Sequence, residues 1–148
     1  MKFYLVTISL ALAIFISSPS FAATPEEAKA FSERAAAYIR EVGEERALAD
    51  FTRPDGGFVK GELYVFCYDD KGVNKAHGAN PAFVGKNLLH IKDPDGKEPN
   101  LEIVKTGFEQ GEGWVDFKWP NPVTKKIQQK SAYVIRTGDV ACGVGYYK

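Results

Sequence analysis

The run Gly113-Trp114-Val115-Asp116-Phe117-Lys118-Trp119-Pro120-Asn121-Pro122 decides the fold. Successive side chains of a strand point to opposite faces, so Val115, Phe117 and Trp119 share one face while Trp114, Asp116 and Lys118 share the other. Pro120-Asn121-Pro122 ends the strand, because proline cannot donate to a ladder. Working outward toward the C-terminus, Lys125 to Arg136 reads as a second strand, Gly138-Asp139 as a turn and Val140 to Tyr147 as a third. Strands joined by short turns pair antiparallel.

Toward the N-terminus the pattern changes twice. Leu101, Val104 and Phe108 give an amphipathic helix that ends at Gly111, preceded by the turn Asp93-Pro94-Asp95-Gly96. His77 to Lys92 scatters Gly78, Pro81 and Gly85 among apolar residues and reads as an ordered loop with a short helical turn. Leu63-Tyr64-Val65-Phe66-Cys67-Tyr68 is a run of β-formers, Asp69 to Gly72 a turn, and Val73 to His77 the returning strand. Before the loop around Pro54-Asp55-Gly56-Gly57, Glu44 to Phe51 reads as a short helix with Leu48 and Phe51 inward. Thr24-Pro25-Glu26-Glu27 opens a longer helix: Thr24 caps it, Pro25 takes its first position and Glu27 completes a capping box. Ala28, Phe31, Ala35, Tyr38 and Val42 form its expected apolar stripe. A long helix with five antiparallel strands is an α+β domain, the helix burying its stripe on one sheet face. A small β-barrel with an added helix is the competing arrangement.

Met1 to Ala22 stands apart. Lys2 is followed by the apolar stretch Phe3 to Ile16, then by Ser17-Ser18-Pro19-Ser20. Ser20 and Ala22 put small residues at the −3 and −1 positions of a cleavage site, the layout of a secretory signal peptide. The stretch is shorter than the ~20 residues a spanning helix needs. Residues 1–22 are therefore expected to be removed, and residues 23–148 to form one domain, periplasmic or secreted. The chain of 148 residues has 19 basic and 19 acidic side chains and a pI near 6.7. That balance argues against nucleic acid as a partner, since phosphate binding needs a basic surface. No serine elbow, zinc-protease helix motif, phosphate loop or Cys-x-x-Cys occurs, so neither an enzyme nor a bound cofactor or metal is expected. A Cys67–His77 nucleophilic pair fails because burial raises a thiol pKa.

Several segments together resemble the single-Cache family of extracytoplasmic sensor domains: Gly57-Phe58-Val59 leading into Leu63 to Phe66, Pro81-Ala82-Phe83-Val84-Gly85-Lys86-Asn87-Leu88, Gly113 to Pro122, Lys130-Ser131-Ala132-Tyr133-Val134 and Gly143-Val144-Gly145-Tyr146. The resemblance implies a PAS-like fold: a five-stranded antiparallel sheet with a long N-terminal helix packed on one face and a small ligand on the other. It also implies a membrane partner, a chemoreceptor or a sensor kinase, and admits a homodimer through the N-terminal helix. The sequence ends at Lys148, directly after the last strand, so a standalone exported module is expected.

The candidate ligand site follows from this arrangement. Lys130, mid-strand in a family-like segment, is the candidate cation for a small carboxylate. Tyr64, Phe66, Trp114, Trp119 and Tyr133 are candidate walls, and His77 a candidate for the rim. Which aromatic set faces the helix and which the pocket stays open from alternation alone, and core packing is the competing role for each. Lys86, Lys118 and Arg136 are the alternative cations. The fold brings Cys67 and Cys142 onto neighbouring strands, where a disulfide and two free thiols are both open. The expected function is small-molecule sensing, with a protein-interaction module lacking a working pocket as the alternative.

Overall fold

The computed structural model describes residues 22–148; the proposed signal peptide lies almost wholly outside the described residues. The longest helix, α1 (Pro25–Val42), begins with the expected capping box between Thr24 and Glu27. Gly43, at φ 89°, breaks the chain into α2 (Glu44–Thr52). A small hairpin, β1 (Val59–Lys60) and β2 (Leu63–Tyr64), leads into β3 (Phe66–Tyr68) and β4 (Asn74–His77). A 3-10 turn at Pro81–Phe83 and the helix α3 (Pro99–Lys105), extended by a π turn over Thr106–Gln110, precede β5 (Glu112–Pro120), β6 (Ile127–Thr137) and β7 (Val140–Tyr147). The sheet order is β4-β3-β7-β6-β5, antiparallel throughout. No helix among the described residues is long and apolar enough to cross a membrane.

Two expectations need correction. Leu63–Tyr68 is not one strand: its first two residues pair with β1 and only Phe66–Tyr68 joins the main sheet. Val65 marks the change of partner, its N–H reaching Phe58 O and its carbonyl accepting from Gly78 N–H. The stripe of α1 is also rotated from the one expected. Ala28, Ser32, Ala35, Ala36 and Ile39 are buried, while Phe31, Tyr38 and Val42 lie at the edge of the core. Small residues bring the helix close enough for Ser32 Oγ to accept from Val144 N–H (2.9 Å) and donate to Tyr133 O (2.7 Å). A buried hydroxyl satisfied twice is compatible with a core position, which apolar periodicity alone misses.

The sheet therefore has an apolar layer on each side. Leu63, Val65, Cys67, Val140, Cys142 and Val144 pack against α1 and α2. Tyr64, Phe66, Tyr68, Val115, Phe117, Ala132, Val134 and Ala141 form the other layer with Ile103 and Val104 of α3. At the sheet centre Cys67 and Cys142 stand directly opposite and form a disulfide, with Cα atoms 4.1 Å apart. The pair spans 75 residues, a crosslink that stabilises by about 4 kcal/mol in the chain-entropy model. Protein purified from an oxidising compartment is expected to show no free thiol when unfolded without reductant, and to melt at a distinctly lower temperature once reduced. Two titratable thiols before reduction would contradict the pairing.

Candidate functional site

The site is built on the face away from α1, and β7 makes room for it. Ala141, Gly143 and Gly145 alternate on that face, opposite Val140, Cys142 and Val144. A Cβ on Gly143 would meet the Phe66 ring, and one on Gly145 would collide with the Lys130 stem. Lys130, on β6 between Phe117 of β5 and Tyr147 of β7, lays its side chain across Gly145 and is 1% exposed.

The ammonium of Lys130 is enclosed by rings. Nζ lies 4.1 Å from the Tyr64 ring centre, 5.1 Å from Tyr147, 5.2 Å from Phe66 and 5.9 Å from Phe117. It donates to Tyr64 Oη at 2.9 Å. Tyr147 Oη donates to Pro120 O at 2.7 Å, so its own acceptor side receives the Tyr64 hydroxyl at 3.4 Å. The chain of bonds thus runs from Lys130 through Tyr64 and Tyr147 to the Pro120 carbonyl. No carboxylate among the described residues lies within ion-pair distance of Lys130. An ammonium carries three donors, and here one has an acceptor. Ring faces attract the cation, yet burial dominates and lowers the Lys130 pKa to about 7, with the more distant charge of Glu62 pulling weakly the other way.

His77 stands over Tyr64, its ring centre 5.0 Å away, and against Phe83 at 5.1 Å. Its Nδ1 accepts from Asn80 N–H at 2.9 Å, which assigns the proton to Nε2. Burial, reinforced by the positive charge of Lys130, lowers its pKa to about 3, so the ring is neutral at physiological pH. Nε2–H is left as a donor without a hydrogen-bond partner among the described residues. Beside Lys130 is an inner cavity of about 10 Å³, room for about one water. Tyr64, His77 and Trp119 line both this cavity and an outer cleft of about 260 Å³ floored by Asn80, Phe83 and Pro120–Pro122.

Tyr64, Phe66, His77, Trp119 and Lys130 therefore converge, whereas Trp114 and Tyr133 do not. These two are paired across β5 and β6 on the helix face, with ring centres 5.1 Å apart. Trp114 is 42% exposed and Tyr133 O–H donates to Glu112. Of the alternative cations, Lys86 is exposed, Lys118 pairs with Asp95 at 2.9 Å, and Arg136 lies over Phe108. Tyr68, Phe83, Asn100, Ile103 and Tyr147 are site residues the sequence reading missed. Tyr147 carried a signal, since it continues the Ala141-Gly143-Gly145 alternation. Phe83 and Asn100 come from a loop and a short helix with no period to read.

A Cache domain profile matches residues 36–147. The chain belongs to the Cache domain family. Relatives of this Cache domain include the sensor histidine kinase MctS of Rhizobium johnstonii, 35% identical over 72 residues, and the methyl-accepting chemotaxis protein McpP of Pseudomonas putida, 34% identical over 58 residues. The matches take in 49% and 39% of this chain but only 15% and 11% of those proteins. Among solved structures, a methyl-accepting chemotaxis protein from Vibrio parahaemolyticus shares the fold, with a TM-score of 0.71 at 22% identity over 82% of this chain and 86% of that one. A Cache chemosensory domain solved for its carboxylic acid recognition gives a TM-score of 0.63 at 28% identity, over 80% and 82% of the two chains.

The buried lysine of this Cache domain has a measurable consequence. Folded, Lys130 loses its proton near pH 7; unfolded, near the ordinary value of 10.5. Between those values the unfolded chain holds the extra proton, so this group makes stability rise with pH, and its burden is greatest below that window. Lys130→Met is expected to melt higher than the wild type at about pH 6, with the gap narrowing toward about pH 10. A pH-independent difference in melting temperature would show that Lys130 is not the source.

Proposed function

We propose that this Cache domain is a sensor module, periplasmic or secreted, that binds a small carboxylate at Lys130 and reports occupancy to a membrane chemoreceptor or sensor kinase. The observation that carries the reading is the enclosed ammonium with no carboxylate beside it. An incoming carboxylate supplies the missing counter-charge and takes the free donors of Nζ, in surroundings dry enough to make charge-assisted bonds strong. The unpartnered Nε2–H of His77 offers a further donor near the mouth. A chemosensory Cache domain solved for its carboxylic acid recognition, 28% identical to this chain, supports the same ligand class.

The inner cavity holds little more than a water, so a ligand must come from the outer cleft and part the side chains shared by the two spaces, Tyr64, His77 and Trp119. That small volume is the observation favouring the second reading, an interaction module whose pocket stays shut. Calorimetry with propionate and pyruvate separates the two. A ligand of five or six heavy atoms gains at most about 1.5 kcal/mol per atom, so micromolar affinity is near the ceiling.

Binding is expected to fall by about 2–5 kcal/mol in Lys130→Met, the cost of leaving one member of a buried charge pair alone. Trp114→Leu, on the opposite face, should bind as the wild type does. Because the ligand favours protonated Lys130, affinity should drop above about pH 7, and each bound ligand should take up close to one proton at about pH 8. Heats measured in buffers of different ionisation enthalpy read that uptake. A bound carboxylate with unchanged affinity in Lys130→Met would remove Lys130 from the site, and no binding by any small carboxylate would favour the interaction module.

A further inference from the structure

Glu62 lies outside the ligand pocket, and its carboxylate is aimed at the start of the domain. Ala23 N–H donates to Glu62 Oε1 at 2.9 Å. The other oxygen, Oε2, accepts from Asn121 Nδ2 at 3.1 Å. Asn121 is 2% exposed and is itself fixed, its N–H bonded to Lys126 O and its Oδ1 accepting from Val123 N–H. The carboxylate is thus held at both oxygens, in a shallow cleft that Glu27, Lys60 and Val123 also line. Ala23 is half-buried, while Ala22 is exposed.

A backbone amide is an ordinary partner for a carboxylate held in this way. The sequence supplies a stronger one at the same nitrogen, because Ser20-Phe21-Ala22 places the expected cut between Ala22 and Ala23. We propose that Glu62 is the docking site for the α-ammonium created when the leader is removed at that bond. Hydrolysis by an export leader peptidase consumes one water. The C–N bond breaks, Ala22 leaves with a carboxylate, and the nitrogen of Ala23 takes up protons to become –NH₃⁺. The existing bond to Oε1, so far charged only at its acceptor, then becomes an ion pair without movement of the backbone.

The surrounding charges suit that outcome. A cation just ahead of α1 opposes the helix dipole, whose positive end lies there. Glu26 and Glu27 in the first turn, together with Glu62, offset it, while Lys60 is the one cation lining the cleft. Glu27 Oε2 is taken by Thr24 N–H at 2.9 Å, and Glu62 is the carboxylate already bonded to the Ala23 nitrogen. Processing would thereby fasten the first residue of the mature chain to the β1–β2 turn and to the Asn121 loop that rims the outer cleft.

The full chain, produced in a bacterial host that exports it, is the material for the test. Intact mass of the recovered protein should give a start at Ala23. The rate at which an amine-selective reagent labels the α-amino group, followed between about pH 6 and pH 10, reads its pKa against the ordinary range of about 7.7–8.0. The wild type is expected to titrate about half a unit to one unit above that range. Glu62→Gln should return it to the range. Should that variant fold poorly, insertion of one glycine between Ala23 and Thr24 keeps Glu62 and moves the ammonium off it, with the same expected return. A recovered chain that is uncut, or that starts at another residue, overturns the proposal. So does an α-amine that titrates identically in the wild type and in the variants.

Discussion

A lysine ammonium enclosed by aromatic rings, with no carboxylate beside it, is the constraint on which the sheet face away from α1 depends. Removing a charge from water is costly unless something replaces the hydration. Here the replacement is partial: four ring faces, one phenol oxygen and a relay of hydroxyls ending on the Pro120 carbonyl. Every element that contributes is held to that task. The small residues of β7 admit the Lys130 stem, the hairpin β1–β2 delivers Tyr64, and the end of β5 supplies the terminal acceptor. The positive charge of Lys130 also helps keep His77 neutral, so the site holds one charge that can be gained or lost near neutral pH and one donor that cannot.

The two faces of the sheet divide stability from adaptability. On the helix face the disulfide joins β3 to β7, Ser32 ties α1 to β6 and β7, and the layer mixes aliphatic side chains with the packed rings of Phe51 and Phe58. The opposite face contains the buried lysine with its free donors and the small cavity. Tyr64, His77 and Trp119, which stand between the inner cavity and the outer cleft, belong to this second face. β7 takes part in both faces, with Gly145 under Lys130 and Val144 against Ser32. The same domain outline recurs in the solved chemosensory Cache structures, while it spans only a small part of the two signalling proteins that resemble it.

The α+β class, the antiparallel hairpin of the last strands, the first helix with its capping box and the sorting of side chains by alternation were legible in the sequence; the separate β1–β2 hairpin and the division of Leu63–Tyr68 between two sheets were not. Each legible feature follows from local rules: period 2 along a strand, period 3.6 along a helix, proline and glycine as stops. Tyr64 with Phe66, and Val115 with Phe117 and Trp119, could be grouped by face for that reason. The face that holds the pocket was not decided by those groups, and so Trp114 and Tyr133 stood as candidates beside residues on the other side of the sheet. The missing signal lay in β7, where Ala141, Gly143 and Gly145 leave one face open and Val140, Cys142 and Val144 close the other.

What only the tertiary structure decided is which distant groups meet, because contact between segments far apart depends on register and layer packing rather than on local pattern. Lys130 was readable as a cation in a strand; that its donors lack a carboxylate follows from where every acidic side chain ends up. Cys67 and Cys142 were readable as strand residues; their register, directly opposite at the sheet centre, makes them a bonded pair. Phe83 and Asn100 belong to irregular segments, and Glu62 to a tight turn, so no period could assign them a neighbour. The sequence by itself determined the α+β class, the order of the main helices and strands and the two faces of each strand, but not the break at Val65 or the buried stripe of α1. The packing of helix, hairpin and loop around one sheet decided which face is the site and which charge stands there alone.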